Sequence, residues 1–460
     1  MIQTEAVTTI AGIRRIPENP CRVEIHMLIP FANSSFCKNE NGGHKVSDIG
    51  GTKRKRISSQ CLKAPIRSKF DPAIRTQYPG LVWKSMLDKD DETRDAIGEE
   101  GCEQLEGVFE NIFKTKKQQE GDSGEDKKKN ADGKKSKKSQ KSEEPQDKED
   151  LEDDKPTENY VTEDEPGKDI EKFHLDNIQV FSLDGMAAGY DAVVKAFVAF
   201  DKKERSTAAK EKLPELQEVA NKAMNGRDRL CKDIAMFGRM VTANIGEQIE
   251  SACSFAHAFG IAEDKGDVDL YAARETGFPD AHRGAATLGS REIFSTTMYE
   301  YCGIDVAAYM NNMYRGGVTE EELKQVCEDI LDFVDLTCST RPDVMQAQMA
   351  SHPLPAAILV TVTGEAEQMV DASSRFEHAV EATETESIAE IGALRLTKFA
   401  ADIKENVRSD HKKKYLVLFG DVRDYVEKNV SGLDLSDVEF ITYKDLFAKL
   451  GGDINAALGI

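Results

Sequence analysis

Over residues 22–31, Val23, Ile25, Met27 and Ile29 alternate with Glu24, His26 and Leu28. A period of two predicts a half-buried strand. Helical spacing takes over further on: Val193, Phe197 and Phe200 share one face, as do Leu216, Val219, Ala220 and Ala223. Leu323, Val326, Ile330 and Val334 repeat the pattern. Thr319 and Glu322 ahead of them have the spacing of a capping box. Residues 71–113 read as mostly helical around the only tryptophan, Trp83. Short β-branched or aromatic runs at 356–362 and 415–419 predict central strands, and Met369, Phe376 and Val380 predict a helix between them. Residues 288–302 read as a strand, and the Gly-, Asp- and Ala-rich stretch 260–287 as a protruding loop or arm. The pattern predicts an α+β fold in which strands far apart in sequence share one sheet.

Two stretches lack any core pattern. Residues 1–20 read as an irregular extension. Residues 114–170 are almost all charged or small, beginning Lys-rich and ending acid-rich. Such a segment buries too little apolar surface to offset its ordering entropy, so disorder is expected there. Charge runs of this kind are usually solvated loops, which is the reading preferred over an RNA tether.

Composition narrows the function classes. The chain has 460 residues, with 83 acidic against 61 basic and a net charge of −22. That length allows two or three domain-sized bodies. No apolar run approaches the roughly 18 residues of a membrane span, and the first residues show no cationic stretch followed by an apolar run, so no secretory leader is expected. Nine scattered cysteines without a C-x-x-C pair argue against a disulfide framework or zinc ribbon and for reduced thiols in a cytoplasm.

Against this acidic background, residues 53–69 reverse the sign. They hold seven basic residues (Lys53, Arg54, Lys55, Arg56, Lys63, Arg67, Lys69) and no acidic one. Gly50 and Gly51 precede them, suited to a sharp turn or a close backbone approach. Ser58, Ser59 and Gln60 have the character of a helix start, where free amides and the positive dipole end attract anions. Pro65 sits awkwardly in that helix, which is expected to be kinked or to begin later. Steering depends on where charge sits rather than on its total. The stretch therefore reads as a clamp for phosphates of a nucleic-acid backbone.

The same residues resemble a known family. Val23-Glu24-Ile25-His26-Met27-Leu28-Ile29, followed by Gly50-Gly51-x-x-Arg54-x-Arg56-Ile57-Ser58-Ser59-Gln60-x-Leu62-Lys63, is similar to the start of CasC. CasC is the backbone subunit of the type I-E CRISPR surveillance complex, Cascade. Gly238-Arg239-Met240, Phe255-Ala256-His257-Ala258 and Leu288-Gly289-Ser290-Arg291-Glu292-Ile293-Phe294-Ser295 follow in the same order, and Phe376-Glu377-His378-Ala379-Val380 is similar too. The resemblance covers roughly 22–113 and 171–400. It implies a modified RRM-like, ferredoxin-like palm with helical finger insertions, built from 21–113 and 171–460, and a thumb loop at about 258–294. It also implies a non-enzymatic protomer without cofactor or metal that stacks head to tail along the crRNA, beside other Cascade subunits, and presents the guide to target DNA.

For the residues, the resemblance implies phosphate contacts from Lys53, Arg54, Arg56, Lys63 and Arg67, with neutral hydrogen bonds from Ser58, Ser59 and Gln60. Such contacts suit a guide of arbitrary sequence. By motif position Met240, beside Arg239, and Tyr271, with Leu270 next to it, would wedge bases apart. The chain departs from the pattern at Cys37-Lys38, where the family has Asn-Arg, so Lys38 keeps the charge but loses the planar fork. Ala64 replaces an expected cation, and Thr287 stands where a thumb histidine is expected.

Two other readings compete. Relatives in the superfamily cleave RNA, which would direct attention to His26 or to the loop residues Asn39, Glu40 and Asp48; a lone strand histidine is more often a packed residue. A general RRM-like module would carry aromatic sheet residues for stacking bases, and 25–29 has none.

Overall fold

In the computed structural model, the residues described are 15–16, 21–40, 42–115, 170–226, 230–241, 244–274, 285–364, 369–406 and 413–460. The readings of 1–20 and 114–170 therefore fall almost wholly outside them. The chain forms two compact units, one of Met1–Ala73, Leu230–Arg239 and Ile249–Ile460, the other of Ile74–Arg229 and Met240–Gln248.

The strands, in chain order, are β1 (Arg22–Ser34), β2 (Val46–Ile49), β3 (Thr52–Ile57), β4 (Ile74–Thr76), β5 (Gln179–Phe181), β6 (Cys253–Phe255), β7 (Ala258–Gly260), β8 (Asp267–Arg274), β9 (Ala285–Asp305), β10 (Ala357–Thr363), β11 (Lys413–Leu418) and β12 (Val438–Phe440). In the first unit they form one sheet in the order β12-β11-β10-β1-β9-β7-β3-β2, with β6 and β8 also paired to β9. β1 runs antiparallel to both neighbours, Ile25 facing Cys302 and Val360. β10-β1-β9-β7 is the antiparallel order of a ferredoxin-like sheet, with the helices Ser59–Arg67 and Glu320–Ser339 packed on one face. The capping box at Thr319 and Glu322 forms as the sequence predicts.

β1 is not half-buried. Val23, Ile25, Met27 and Ile29 pack under Leu62, Tyr309, Ile330 and Leu450. Leu28 on the opposite face packs with Phe376, Leu396 and Phe399, contributed largely by the helix Ile388–Asn406. Each such side chain contributes about 1.5–3 kcal/mol by leaving water. Polar residues on this second face need partners, because an unpaired buried polar group is costly. Glu24 accepts hydrogen bonds from Tyr301 (3.0 Å), Thr361 (3.0 Å) and the Val370 amide (2.6 Å). The face that an RRM leaves open for stacking bases is thus covered here.

The helix expected around Met369, Phe376 and Val380 is absent from the described residues. Only a single 3₁₀ turn, Ser373–Phe376, forms there. Phe376 and Val380 are buried because the irregular chain lies against the sheet, so their spacing reflects burial and not helical periodicity. The expected arm at 260–287 contains β8, which forms a two-stranded ribbon with the first half of β9. The second half of β9 continues into the sheet beside β1.

The second unit packs the helices Pro79–Leu87, Asp91–Ile112, Leu183–Ala199 and Leu213–Met224 around Trp83, Phe109, Phe113 and Phe197, beside the β4–β5 ladder. Trp83 is fully buried and donates its indole N–H to the Met186 carbonyl at 2.9 Å. A buried indole needs such a partner.

Candidate nucleic-acid interface

Gly50 and Gly51 have φ of +57° and +79°. Two positive values make the type I′ turn, whose twist matches the flanking strands of a hairpin, here β2 and β3. A Cβ on Gly50 would come within 1.9 Å of the Glu377 carbonyl oxygen. The close approach that the glycine permits is therefore to the protein's own backbone.

The cations expected to lead into the helix lie on β3, and the packing around the strand separates them. Lys53 is exposed, Lys55 is buried, and Arg56 is half-buried. Lys55 donates to the Ile293 carbonyl and pairs with Asp264 at 3.5 Å. Arg54 is 0% exposed. Its guanidinium donates to the carbonyls of Gly260 (3.2 Å), Ile261 (2.7 Å) and Glu377 (3.2 Å) and to the Thr52 hydroxyl (2.6 Å). Burial, reinforced by nearby Arg395 and opposed by Glu263, lowers its pKa. Arg54 thus holds three chain segments together, and the surface phosphate contact expected of it is not available in this arrangement.

Ser59–Arg67 is a single helix containing Pro65. Ser58 occupies its N-cap position without a side-chain capping bond. Its amide instead donates to the Cys37 sulfur at 3.4 Å, and its hydroxyl lies 3.5 Å from the same sulfur. The next amide, that of Ser59, donates to His257 Nδ1 at 3.1 Å. Both serines are buried, whereas Gln60 is exposed and Lys63 half-buried. At the far end, Arg67 donates to the fully buried Asp233 at 2.7 Å and stacks 5.1 Å from the Phe237 ring centroid. Lys38 is exposed beside this helix start and bridges to His44. Of the expected phosphate-binding cations, Lys38, Lys53, Arg56 and Lys63 keep some solvent access; Arg54 and Arg67 are engaged by the protein.

Cys37 lies between the helix start and Lys38, with φ of +42°. A hydrogen bond from the Cys61 thiol and two from Ser58, outweighing burial, pull its pKa down to about 5. The Cys61 thiol is pushed up correspondingly. Neither the lowered pKa of Cys37 nor the hydrogen bond to His257 has a signal in the sequence, because each depends on residues distant in the chain.

Arg239 is buried, and its backbone bridges to Ile249 through N–H···O bonds of 2.8 and 2.9 Å. Met240, which follows it, is 74% exposed. On the ribbon, Tyr271 faces Gly289 and Leu270 faces Ser290, so the two neighbours project from opposite sides. Leu270 (73% exposed) shares its side with Val268 and with Leu288 (75%). Tyr271 is 39% exposed. Its ring fills the space over Gly289, where a Cβ would come within 2.4 Å of ring atoms, and the Arg291 guanidinium stacks 4.9 Å from its centroid. Thr287 is exposed on the same side as Tyr271.

His26 is fully buried, with Nδ1 2.9 Å from the Tyr299 hydroxyl. Asn39, Glu40 and Asp48 are exposed. No group of His, Cys, Asp and Glu that could hold a metal occurs among the described residues. No helix among them is long and apolar enough to cross a membrane.

Fold and surface together define a ferredoxin-like protein with a cationic hairpin and helix start added to one edge and an exposed two-stranded ribbon. The family model of CT1975-like proteins matches residues 23–438, and the chain belongs to that family of Cas proteins. Among solved structures it is similar to a chain of a "CRISPR RNA-guided surveillance complex, pre-nicking", with a TM-score of 0.64 and 17% identity over 94% of this chain and 100% of that one. It is also similar to a chain of a "CRISPR RNA-guided surveillance complex", with a TM-score of 0.57 and 16% identity over 94% and 99%. No curated protein matches.

Proposed function

We propose that the chain is a guide-RNA-binding backbone subunit of a type I-E CRISPR surveillance complex, Cascade. The observation that carries this reading is family membership over residues 23–438. The likeness of nearly the whole chain to chains of surveillance complexes supports it. In this reading Lys38, Lys53, Arg56 and Lys63 bind crRNA phosphates, and Gln60 adds a neutral hydrogen bond. Contacts of this kind hold any guide sequence. Met240 and the ribbon side chains Leu270 and Tyr271 displace bases, since apolar and aromatic contacts with bases tolerate every sequence. Copies stack head to tail along the guide in the cytoplasm, with other Cascade subunits, and present the intervening bases to target DNA. The protomer itself performs no cleavage; burial of His26 disfavours it as a general base.

Sequencing the nucleic acid that co-purifies with the protein from its native cell tests this reading. Intact, repeat-flanked guides of uniform length are expected. Heterogeneous RNA would replace the reading with a general RNA-binding module, and cleaved guide or target would replace it with a nuclease.

A further inference from the structure

Outside the hairpin and helix start lies a second cationic feature. Ser374, Arg375, His378, Arg395 and Lys398 line an open cavity of about 290 Å³. Arg375 belongs to the turn Ser373–Phe376, whereas Arg395 and Lys398 lie one turn apart on the helix Ile388–Asn406. Side chains three positions apart on a helix are neighbours. No carboxylate and no apolar side chain lines the cavity. One carboxylate, that of Asp402, pairs with Arg375.

The cavity is rigidly framed. Arg395 donates to the Arg375 carbonyl (3.2 Å) and the His378 carbonyl (2.8 Å), fixing the turn against the helix. Arg54 donates to the neighbouring Glu377 carbonyl, so two guanidinium groups hold the same short stretch of backbone. Arg54 makes its hydrogen bonds to carbonyls and a hydroxyl, and the nearby Glu263 offsets part of its charge. Lys398, by contrast, is exposed, and no carboxylate among the described residues pairs with it.

We propose that this cavity binds the phosphodiester backbone of a nucleic-acid strand, at a site separate from the Lys53 row. Arg, Lys, His and Ser side chains, with Arg375 offset by Asp402 and Lys398 left exposed, are the donor set that grips phosphate without reading bases. A protein partner would bring apolar side chains to the centre of the contact, whereas every side chain lining this cavity ends in a polar or cationic group. The inference concerns residues outside the guide-binding reading and does not depend on it.

The test uses the full-length protein and fluorescein-labelled oligo-dT, followed by anisotropy over a salt series. A Lys53→Glu background weakens the hairpin site, so the contribution of the cavity stands out against a reduced hairpin contribution. Lys398→Glu is expected to lower affinity about three- to ten-fold, and Lys398→Ala by less. The slope of log affinity against log salt should flatten by about 0.7 for each phosphate no longer neutralised. Arg375→Gln should act in the same direction. Thermal melting confirms that each variant is folded; Lys398 is exposed, so its substitution is structurally mild.

Wild-type affinity and slope in both Lys398 variants would overturn the proposal. So would variants that change only the oligomeric state in light scattering, which would assign the cavity to an interface between copies. Strong competition by inorganic pyrophosphate combined with no oligo-dT dependence on Lys398 would reduce it to a small-anion site. Failure of the guide reading would instead appear in the co-purified RNA and leave these measurements intact.

Discussion

Neighbouring arginines and lysines on β3 are chemically alike and physically different. Arg54 is enclosed by three carbonyls and Lys53 faces water. Arg54→Leu would remove the guanidinium from those carbonyls, of which Ile261 keeps the Val380 amide as donor, and losing buried hydrogen bonds to a charged group costs about 1.5–3 kcal/mol. A lower midpoint in urea is expected. Lys53→Ala should change stability by less than about 0.5 kcal/mol, while weakening RNA binding equally across sequences and flattening its salt slope. The opposite assignment, with Arg54 mild and Lys53 destabilising, would show that the two side chains exchange places in solution.

Cys37 carries a second prediction at this scale. Its folded pKa lies below the ordinary thiol range because the ionised sulfur accepts hydrogen bonds. Its contribution to stability is accordingly present above the unfolded value near 8.5 and is lost as pH falls through about 5. Iodoacetamide should therefore modify Cys37 down to about pH 5, whereas the buried Cys231 and Cys253, raised to about 11 by burial, stay unreactive. Mass spectrometry of the alkylated peptides reads this out, and uniform labelling of all three with an ordinary thiol profile would refute it.

Among the elements, the ribbon of β8 and β9 is the most exposed. One side carries Val268, Leu270 and Leu288 to solvent; on the other, Tyr271 already covers Gly289 beneath Arg291. Leu270→Asp and Leu288→Asp should leave the melting temperature within a few degrees, because exposed positions contribute little to stability. Both should weaken RNA binding, where contacts with bases are worth about 1–3 kcal/mol each. Tyr271→Ala should cost stability as well, since it uncovers the glycine and removes the ring beneath Arg291. An RNA affinity unchanged by all three substitutions would remove the ribbon from the interface.

Over the whole molecule, the net charge of −22 coexists with local cationic surfaces at the hairpin, at the helix start and around Lys398. Short-range periodicity made much of the fold legible. The first strand, the capping box at Thr319, the strands near 357–363 and 413–418 and the helices of the second unit follow from nearest-neighbour spacing and hydrogen-bonding chemistry. The same spacing misread Phe376 and Val380, whose burial is imposed by the sheet below them. It also left β1 half-exposed, because the covering helix Ile388–Asn406 lies more than 350 residues away in the chain. By itself the sequence determined that cations concentrate at 53–69, that Gly50-Gly51 turns the chain, and that Ser58 opens a helix. Only the tertiary structure decided which cations face water. The carbonyls of Gly260, Ile261 and Glu377 enclose Arg54, Asp233 engages Arg67, and Lys38, Lys53 and Gln60 remain exposed. The physical reason is that a charge leaves water only where distant backbone or an opposite charge replaces its hydration.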